Sequence, residues 1–489
     1  MTASKIKTFR NIIYASLGKG LTLVCVALSS MVVARNLTPT DYGVVGFAVI
    51  IIGFLGHFSD MGVANAVVRS PQLHPRDLQT ALTLKIVLGI AAFVAALLVA
   101  PFARHFFDHP ATGNVIRILA LNFLVSTVGF VPNVMLTREM NYRVLVIPGI
   151  TSAAVQCILT ITLVLHGWSY WAIVVANVGA TLASGIVLQF IRRHPVRLRF
   201  DFAVAQEYLR FGIPLFQTGV LVFVIFNLDN FLVGGSMGSA QLGYYALAFT
   251  WGSFICGLLY DTVNNVLFPA FSAIQHDLVA VRRWYLKTVD LVAFIAATAN
   301  VALLANAHYF LVTFLGKGTD KWLPAVWTLR ILCLYGIVRA VTEPLGPCLM
   351  AKGQSKTILH ASLVSGGVEL ALLLLALRMG RIELVAIAVL LAYISQGLVY
   401  VPILRQKFFI GLGDIFAQIW PVVPALGIGC LVTSLLPPSF GLTFSTLTIR
   451  GLFTAIVVAL AHGLFSRFRC FYSVGAMISQ TFAREVQVS

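Results

Sequence analysis

The 489 residues are 59% hydrophobic and only 10% charged, with a mean hydropathy of +0.92. Soluble domains carry roughly 25% charged residues, so a chain this poor in charge could not cover its own surface in water, and lipid must be its solvent. The net charge of +17 would point to nucleic acid if it clustered on one soluble face, but its distribution along the chain excludes that.

A membrane-spanning helix needs about 20 predominantly apolar residues. The sequence predicts such spans near 12–34, 43–68, 80–103, 115–136, 145–166, 168–191, 211–235, 243–272, 287–315, 324–350, 357–379, 383–405, 419–436 and 447–466. The first is too long in its apolar stretch for a cleaved signal and lacks a small-x-small site. With the N-terminus placed in the cytoplasm, the cytoplasmic segments hold 22 of the 34 Lys and Arg, the opposite loops hold six, and the remaining six fall within spans. Basic residues are retained on the cytoplasmic side, so this asymmetry predicts that both termini are inside and that the span number is even. A minor part of the charge is available to anionic lipid head groups.

The chain also echoes itself. Arg35-Asn-Leu-Thr-Pro-Thr-Asp-Tyr-Gly43 leads into the second span, and Gly235-Ser-Met-Gly-Ser-Ala-Gln-Leu-Gly243 leads into the eighth, at an offset of 200. Asn65 and Asn265 share that register, and Ile116-Arg117-Ile118-Leu119 pairs with Leu329-Arg330-Ile331-Leu332. Six spans per half is an even number, so the halves share an orientation and relate by an axis along the membrane normal. The expected fold is an all-α polytopic membrane protein of about fourteen transmembrane helices: two pseudo-symmetric six-helix lobes plus two extra C-terminal helices. Residues 1–191 form the N-lobe, 192–210 a basic cytoplasmic linker, 211–405 the C-lobe, 406–466 spans thirteen and fourteen, and 467–489 a cytoplasmic tail. Two such lobes around a central cavity form a transporter architecture with alternating access.

An ionisable residue inside a span is a functional candidate unless it lies near enough to the interface to snorkel. Lys19 lies well inside the first span between Gly18 and Gly20, and Asp60 lies in Ser59-Asp60-Met61-Gly62, where Lys19 or a helix end is its expected partner. Asp229 stands in the polar cluster Asn227-Leu-Asp-Asn230 and is expected to face the cavity. Asp261 lies deep in the eighth span, and Glu369 is central in the eleventh, after Gly366 and Gly367. Arg339 and Glu343 are four apart, hence on one helical face and able to pair. Thr342-Glu-Pro-Leu-Gly-Pro347 should then break or kink that helix, which at membrane depth is tolerated only where the backbone is buried or lines water. Arg117, Arg330 and Lys85 lie near span ends, where snorkelling is the simpler reading. Embedded cations suit an anionic cargo, since Arg makes bidentate bonds to phosphate, giving Lys19, Arg339, Arg117 and Arg330 as substrate-binding candidates. Asp60, Asp229, Asp261, Glu343 and Glu369 would balance that charge or carry a coupling ion. The same acids equally allow a drug-cation or proton-coupled exporter.

No metal or cofactor is expected. The seven cysteines lack metal-ligand or redox spacing, and His105-Phe-Phe-Asp-His109 is too thin for a metal site. There is no Walker A sequence and no nucleophile elbow.

Ala34-Arg35-Asn-Leu-Thr-Pro-Thr-Asp-Tyr-Gly43 resembles the "ARxLxPxDYG" segment of the bacterial polysaccharide (O-antigen and exopolysaccharide) flippases, within the multidrug/oligosaccharidyl-lipid/polysaccharide exporter superfamily. Phe314-Leu-Gly-Lys-Gly-Thr-Asp-Lys-Trp322 resembles their loop before the tenth span. Met135-Leu-Thr-Arg-Glu-Met-Asn-Tyr142 and Gly167-Trp-Ser-Tyr-Trp-Ala172 are similar to the colanic-acid-exporter-like branch. The resemblance implies a non-enzymatic flippase of the bacterial inner membrane. It would move undecaprenyl-pyrophosphate-linked oligosaccharide repeat units to the periplasmic leaflet through a cation-lined cavity. Its expected partners are that lipid-linked substrate, membrane lipids, a polysaccharide polymerase and a chain-length regulator, with no nucleic acid. The competing readings are an ion-coupled multidrug exporter of the same superfamily, usually of twelve spans, and a membrane polysaccharide polymerase or ligase. The latter typically carries a large periplasmic loop, which the short loops here do not provide.

Overall fold

The computed structural model describes residues 2–107, 109–194, 197–436 and 444–466, and among these every regular element is helical. Each of the fourteen expected segments falls on helix. Twelve helical stretches, or thirteen with one bent pair, are long and apolar enough to cross a membrane among the described residues. The chain forms two compact units, residues 1–246 and 247–489.

The first unit contains α1 (Thr2–Asn36), α2 (Pro39–Asp60), α3 (Val63–Arg69), α4 (Pro75–Phe106), α5 (Thr112–Val125), α6 (Phe130–Arg138), α7 (Tyr142–Leu165), α8 (Trp171–Ile191), α9 (Phe202–Met237) and the start of α10 (Ser239–Gly252). Helix α2 is the organiser, packing on α4, α5 and α9. Its start is defined by Thr38, whose hydroxyl accepts from the Asp41 N–H at 3.2 Å while the Asp41 carboxylate accepts from the Thr38 N–H at 3.1 Å, with Pro39 at the first helical position. Such a cap contributes about 1 kcal/mol. The expected second span does not run unbroken to residue 68. Met61 adopts φ 42° and Gly62 φ 73°, closing α2 and turning the chain into α3. The fourth expected span is likewise two helices, α5 and α6, bent by 56°.

The two echoed segments meet each other directly. A methyl group on Gly43 would overlap the Ser239 carbonyl oxygen, and one on Gly243 would overlap the Pro39 carbonyl oxygen. Each contact is the other with its two partners exchanged at the offset of 200, so the starts of α2 and α10 cross about a local two-fold axis, as in an isologous interface. One turn on, a Cβ placed on Gly46 would stand 4.0 Å from the Ala246 Cβ. Lipid tails are as apolar as Leu, so association in a bilayer rests on close van der Waals packing, and small residues at the crossing permit it.

The second unit contains the rest of α10, α11 (Phe254–Ala273), α12 (Leu278–Ala305), α13 (Ala325–Thr342), α14 (Leu345–Ala351), α15 (Ser355–Arg378), α16 (Ile382–Phe408), α17 (Leu412–Ile419), α18 (Val422–Leu435) and α19 (Phe444–Phe465). The eighth expected span is therefore interrupted at Ser253. Helix α12 forms the centre: Val281, Tyr285, Val289, Val292, Ala296 and Val301 are buried at helical spacing against α13, α17, α18 and α19. A π-helical turn, Tyr309–Leu315, follows it.

Replacing Gly43 or Gly243 by Ala is expected to cost about 1–3 kcal/mol through overpacking, seen as a lower thermal unfolding midpoint in detergent. Gly20→Ala is the control, because a Cβ there meets nothing within 4 Å, and it should be neutral or slightly stabilising. Equal midpoints for all three variants would contradict the crossing.

Candidate functional site

The ionisable residues singled out in the sequence fall into separate clusters. In the first unit, Asp60 is the last residue of α2 and its partner is Lys85, not Lys19: Lys85 Nζ stands 3.7 Å from Asp60 Oδ1. The ammonium also donates to the Ser59 carbonyl at 2.9 Å and lies 3.4 Å from the Ser59 hydroxyl. Lys85 is buried rather than reaching toward the interface. It neutralises both the carboxylate and the negative end of the α2 dipole, and the break at Met61 creates the unsatisfied carbonyl that it caps. Lys19 is exposed on α1, and its two flanking glycines differ: a Cβ on Gly18 would press into Val146 of α7, whereas Gly20 faces open space.

Asp229 does not face open water. It is 2% exposed, and its carboxylate accepts from the Tyr245 hydroxyl at 2.6 Å and from the Asn230 N–H and side-chain amide at 2.7 and 3.0 Å. Tyr245, sixteen residues on in α10, completes this shell, while the Asn227 amide donates to the Phe223 carbonyl within α9 at 2.9 Å. Arg117 is exposed and donates to Asn114 at 2.9 Å. Arg330 lies 4.6 Å over the ring of Trp327, which is 62% exposed. The echoed positions of Arg117 and Arg330 do not share an environment.

Arg339 and Glu343 form the expected pair. Arg339 Nε donates to Glu343 Oε1 at 3.0 Å and Nη1 to the Tyr335 hydroxyl at 3.1 Å. The guanidinium stands 5.8 Å from the Tyr393 ring of α16, and that ring meets Tyr335 edge-on at 4.9 Å. Their side chains are 15% and 18% exposed, so the pair is largely desolvated and still accessible. The expected break is present: α13 ends at Thr342, and α14 begins after Pro344. Proline has no N–H to continue the ladder, and the Gly346 N–H bonds the Glu343 carbonyl at 3.2 Å instead. Glu369 is buried on α15. The side chain of Asp261 lies outside the described residues, as do Asp108 of the His105–His109 loop, Cys470 and the expected tail, 467–489.

The sequence did not single out Arg450. It is buried on α19, donating from Nε to Asn306 Oδ1 at 2.9 Å and from Nη2 to the Thr433 carbonyl at 2.6 Å. The guanidinium lies 4.1 Å over the Tyr309 ring. One side chain thus joins α18 and α19 to the end of α12 and the π turn.

Residues 32–327, more than half of the chain, match the model of a family described as polysaccharide biosynthesis protein. The chain belongs to that family. It is 27% identical to the lipopolysaccharide biosynthesis protein WzxC of Escherichia coli K12 over 327 residues, 66% of this chain and 65% of that protein. It is 25% identical to the teichuronic acid biosynthesis protein TuaB of Bacillus subtilis, covering 60% of this chain and 61% of that one. The succinoglycan biosynthesis transport protein ExoT of Rhizobium meliloti is 22% identical over 73% of this chain and 71% of its own. The match thus spans just under two thirds of WzxC and TuaB. Among solved structures, the lipid II flippase MurJ in its inward closed conformation aligns with a TM-score of 0.72 at 13% identity, covering 93% of this chain and 99% of that one. An inward-facing multidrug resistance MATE transporter aligns with a TM-score of 0.55, at 13% identity over 93% and 96% of the two chains. These likenesses show that the chain shares its fold with MurJ and with the MATE transporter.

Replacing Arg450 strands Asn306 Oδ1 and the Thr433 carbonyl, at a cost of about 1–3 kcal/mol. Arg450→Met is therefore expected to lower the unfolding midpoint in detergent, and Arg450→Lys to fall between it and wild type because one ammonium cannot span these acceptors. Wild-type midpoints for both would show that the guanidinium holds nothing.

Proposed function

We propose that the protein is a flippase for undecaprenyl-pyrophosphate-linked oligosaccharide repeat units, moving them from the cytoplasmic to the periplasmic leaflet of the inner membrane by alternating access. The observation that carries this reading is the family match together with a fold likeness covering 93% of the chain and 99% of the lipid II flippase MurJ. The name of ExoT, a succinoglycan biosynthesis transport protein, points the same way. The multidrug-exporter reading has less support, since the MATE likeness is weaker by TM-score. A membrane polymerase or ligase fits a transporter fold poorly.

Within that reading both termini lie in the cytoplasm, and the working division is six helices per lobe with a trailing pair. A polymerase and a chain-length regulator are the protein partners that its products require. Arg339 is the leading candidate for the phosphate-recognising cation, held by Glu343 and Tyr335 on a helix broken at Pro344. Lys19 is exposed on α1 and is the second candidate. Arg117 and Arg330, at helix ends, would act at entry or exit rather than at depth. Asp60, Asp229, Asp261, Glu343 and Glu369 remain the charge-balancing or coupling set. The geometry of Asp229 and Asp60 supports balance, because each already has close polar partners.

Deleting the gene is expected to leave lipid-linked repeat units accumulating in the inner leaflet while the polymerisation machinery is intact. Normal surface polysaccharide with no such build-up would refute the flippase reading. In the complemented strain at wild-type expression, Arg339→Ala should reduce polysaccharide output roughly ten- to a hundredfold, the equivalent of a charged hydrogen bond. Arg339→Lys should restore little, because lysine cannot bridge Glu343 and Tyr335 together. Full activity in both variants would reduce this helix to scaffold.

A further inference from the structure

Residues 197–202, between α8 and α9, read Arg-Leu-Arg-Phe-Asp-Phe, an alternation of polar and apolar side chains. The segment is pinned edge-on to α4: the Arg199 carbonyl accepts from the Thr83 hydroxyl at 3.0 Å, and the Asp201 N–H donates to the Thr80 hydroxyl at 3.2 Å. In extended chain the C=O of one residue and the N–H two residues on lie along the same edge, and successive side chains point to opposite sides. Asp201 is extended, at φ −114° and ψ 115°. That geometry sends Arg197 and Arg199 to one side and Leu198 and Phe200 to the other, with Phe202 opening α9. The three apolar side chains are 63%, 52% and 72% exposed, and both arginines are exposed. Asp201 shares the arginine side, and its Oδ1 is turned to the Ala203 and Val204 N–H groups, accepting at 3.0 and 3.4 Å as the cap of α9.

Position fixes the depth of the segment. Thr80 and Thr83 lie in the first turns of α4, and α8 and α9 are spans on either side, which puts the segment at the membrane–water boundary. An acidic protein or a nucleic acid would pair the arginines but leave Leu198, Phe200 and Phe202 in water. A lipid surface answers both sides at once, with phosphate at the basic edge and the acyl boundary at the aromatic one. We propose that residues 197–202 form a binding site for anionic phospholipid, with Arg197 and Arg199 holding the phosphate head group and the apolar side chains seated among the upper acyl carbons. This site is independent of the cargo.

The test uses the full-length protein in detergent with equal phosphatidylglycerol and phosphatidylcholine, counting retained lipids by native mass spectrometry. Wild type should retain phosphatidylglycerol preferentially. R197Q/R199Q should reduce that preference roughly tenfold or more with phosphatidylcholine unchanged, whereas R197K/R199K should keep most of it because head-group attraction follows charge. Leu198→Ser/Phe200→Ser should lower retention with the arginines intact. The thermal midpoint should not move in any of them, since these side chains are exposed. Wild-type preference in R197Q/R199Q, or a parallel loss of both lipids, would overturn the proposal.

Discussion

The structure of the first unit depends on one close approach, at which Gly43 of α2 meets Ser239 while Gly243 of α10 meets Pro39. Backbone touches backbone there in both directions. Water is absent as a driving force between helices in a bilayer, so what holds two of them together is the number of atoms that can reach van der Waals contact. Side chains on either glycine would separate the pair and forfeit that contact along the following turn, where Gly46 reaches Ala246. The reciprocity is the spatial meaning of the repeat: the same short segment, occurring twice, is its own packing partner.

Around such packing, each buried polar group has to find a partner inside the protein. Lys85 answers the open end of α2 at Ser59 and the charge of Asp60. Tyr245 and Asn230 answer Asp229, and Asn306, Thr433 and Tyr309 answer Arg450. These three clusters are built to close helix ends and join helices. The Arg339–Glu343 pair differs in standing at a proline-made break beside two tyrosine rings while keeping part of its surface open. That contrast, rather than charge alone, ranks Arg339 above the other embedded ions.

The spans were legible because their cause is local: runs of apolar residues about as long as a bilayer is thick. The break at Pro344 was legible for the same reason, since proline removes a donor wherever it stands, and the echo at an offset of 200 pointed to Gly43 and Gly243. Non-local partners were not legible. Nothing near Lys85 announces that it caps the end of a helix at Ser59, twenty-six residues earlier, and Met61 carries no mark of its left-handed conformation beyond the glycine that follows. The partners of Arg450 at Asn306 and Thr433 lie 144 and 17 residues away, which no periodicity reports. The family was legible because its motifs sit at helix starts and loops, where short-range geometry constrains the residues. The positions of individual charges depend on which helices meet, and that is decided by packing.

Disulfide trapping at the crossing tests whether the starts of α2 and α10 meet. Cysteines at Gly46 and Ala246, in a chain whose seven native cysteines are replaced by serine, should form an intramolecular disulfide rapidly under mild oxidant. The 4.0 Å separation of the Cβ positions lies within the range such a bond needs. Moving the second cysteine two residues, to Tyr244, should abolish it. No cross-link between 46 and 246 in folded protein, or equal cross-linking from 244, would show that the two echoed segments do not meet as described.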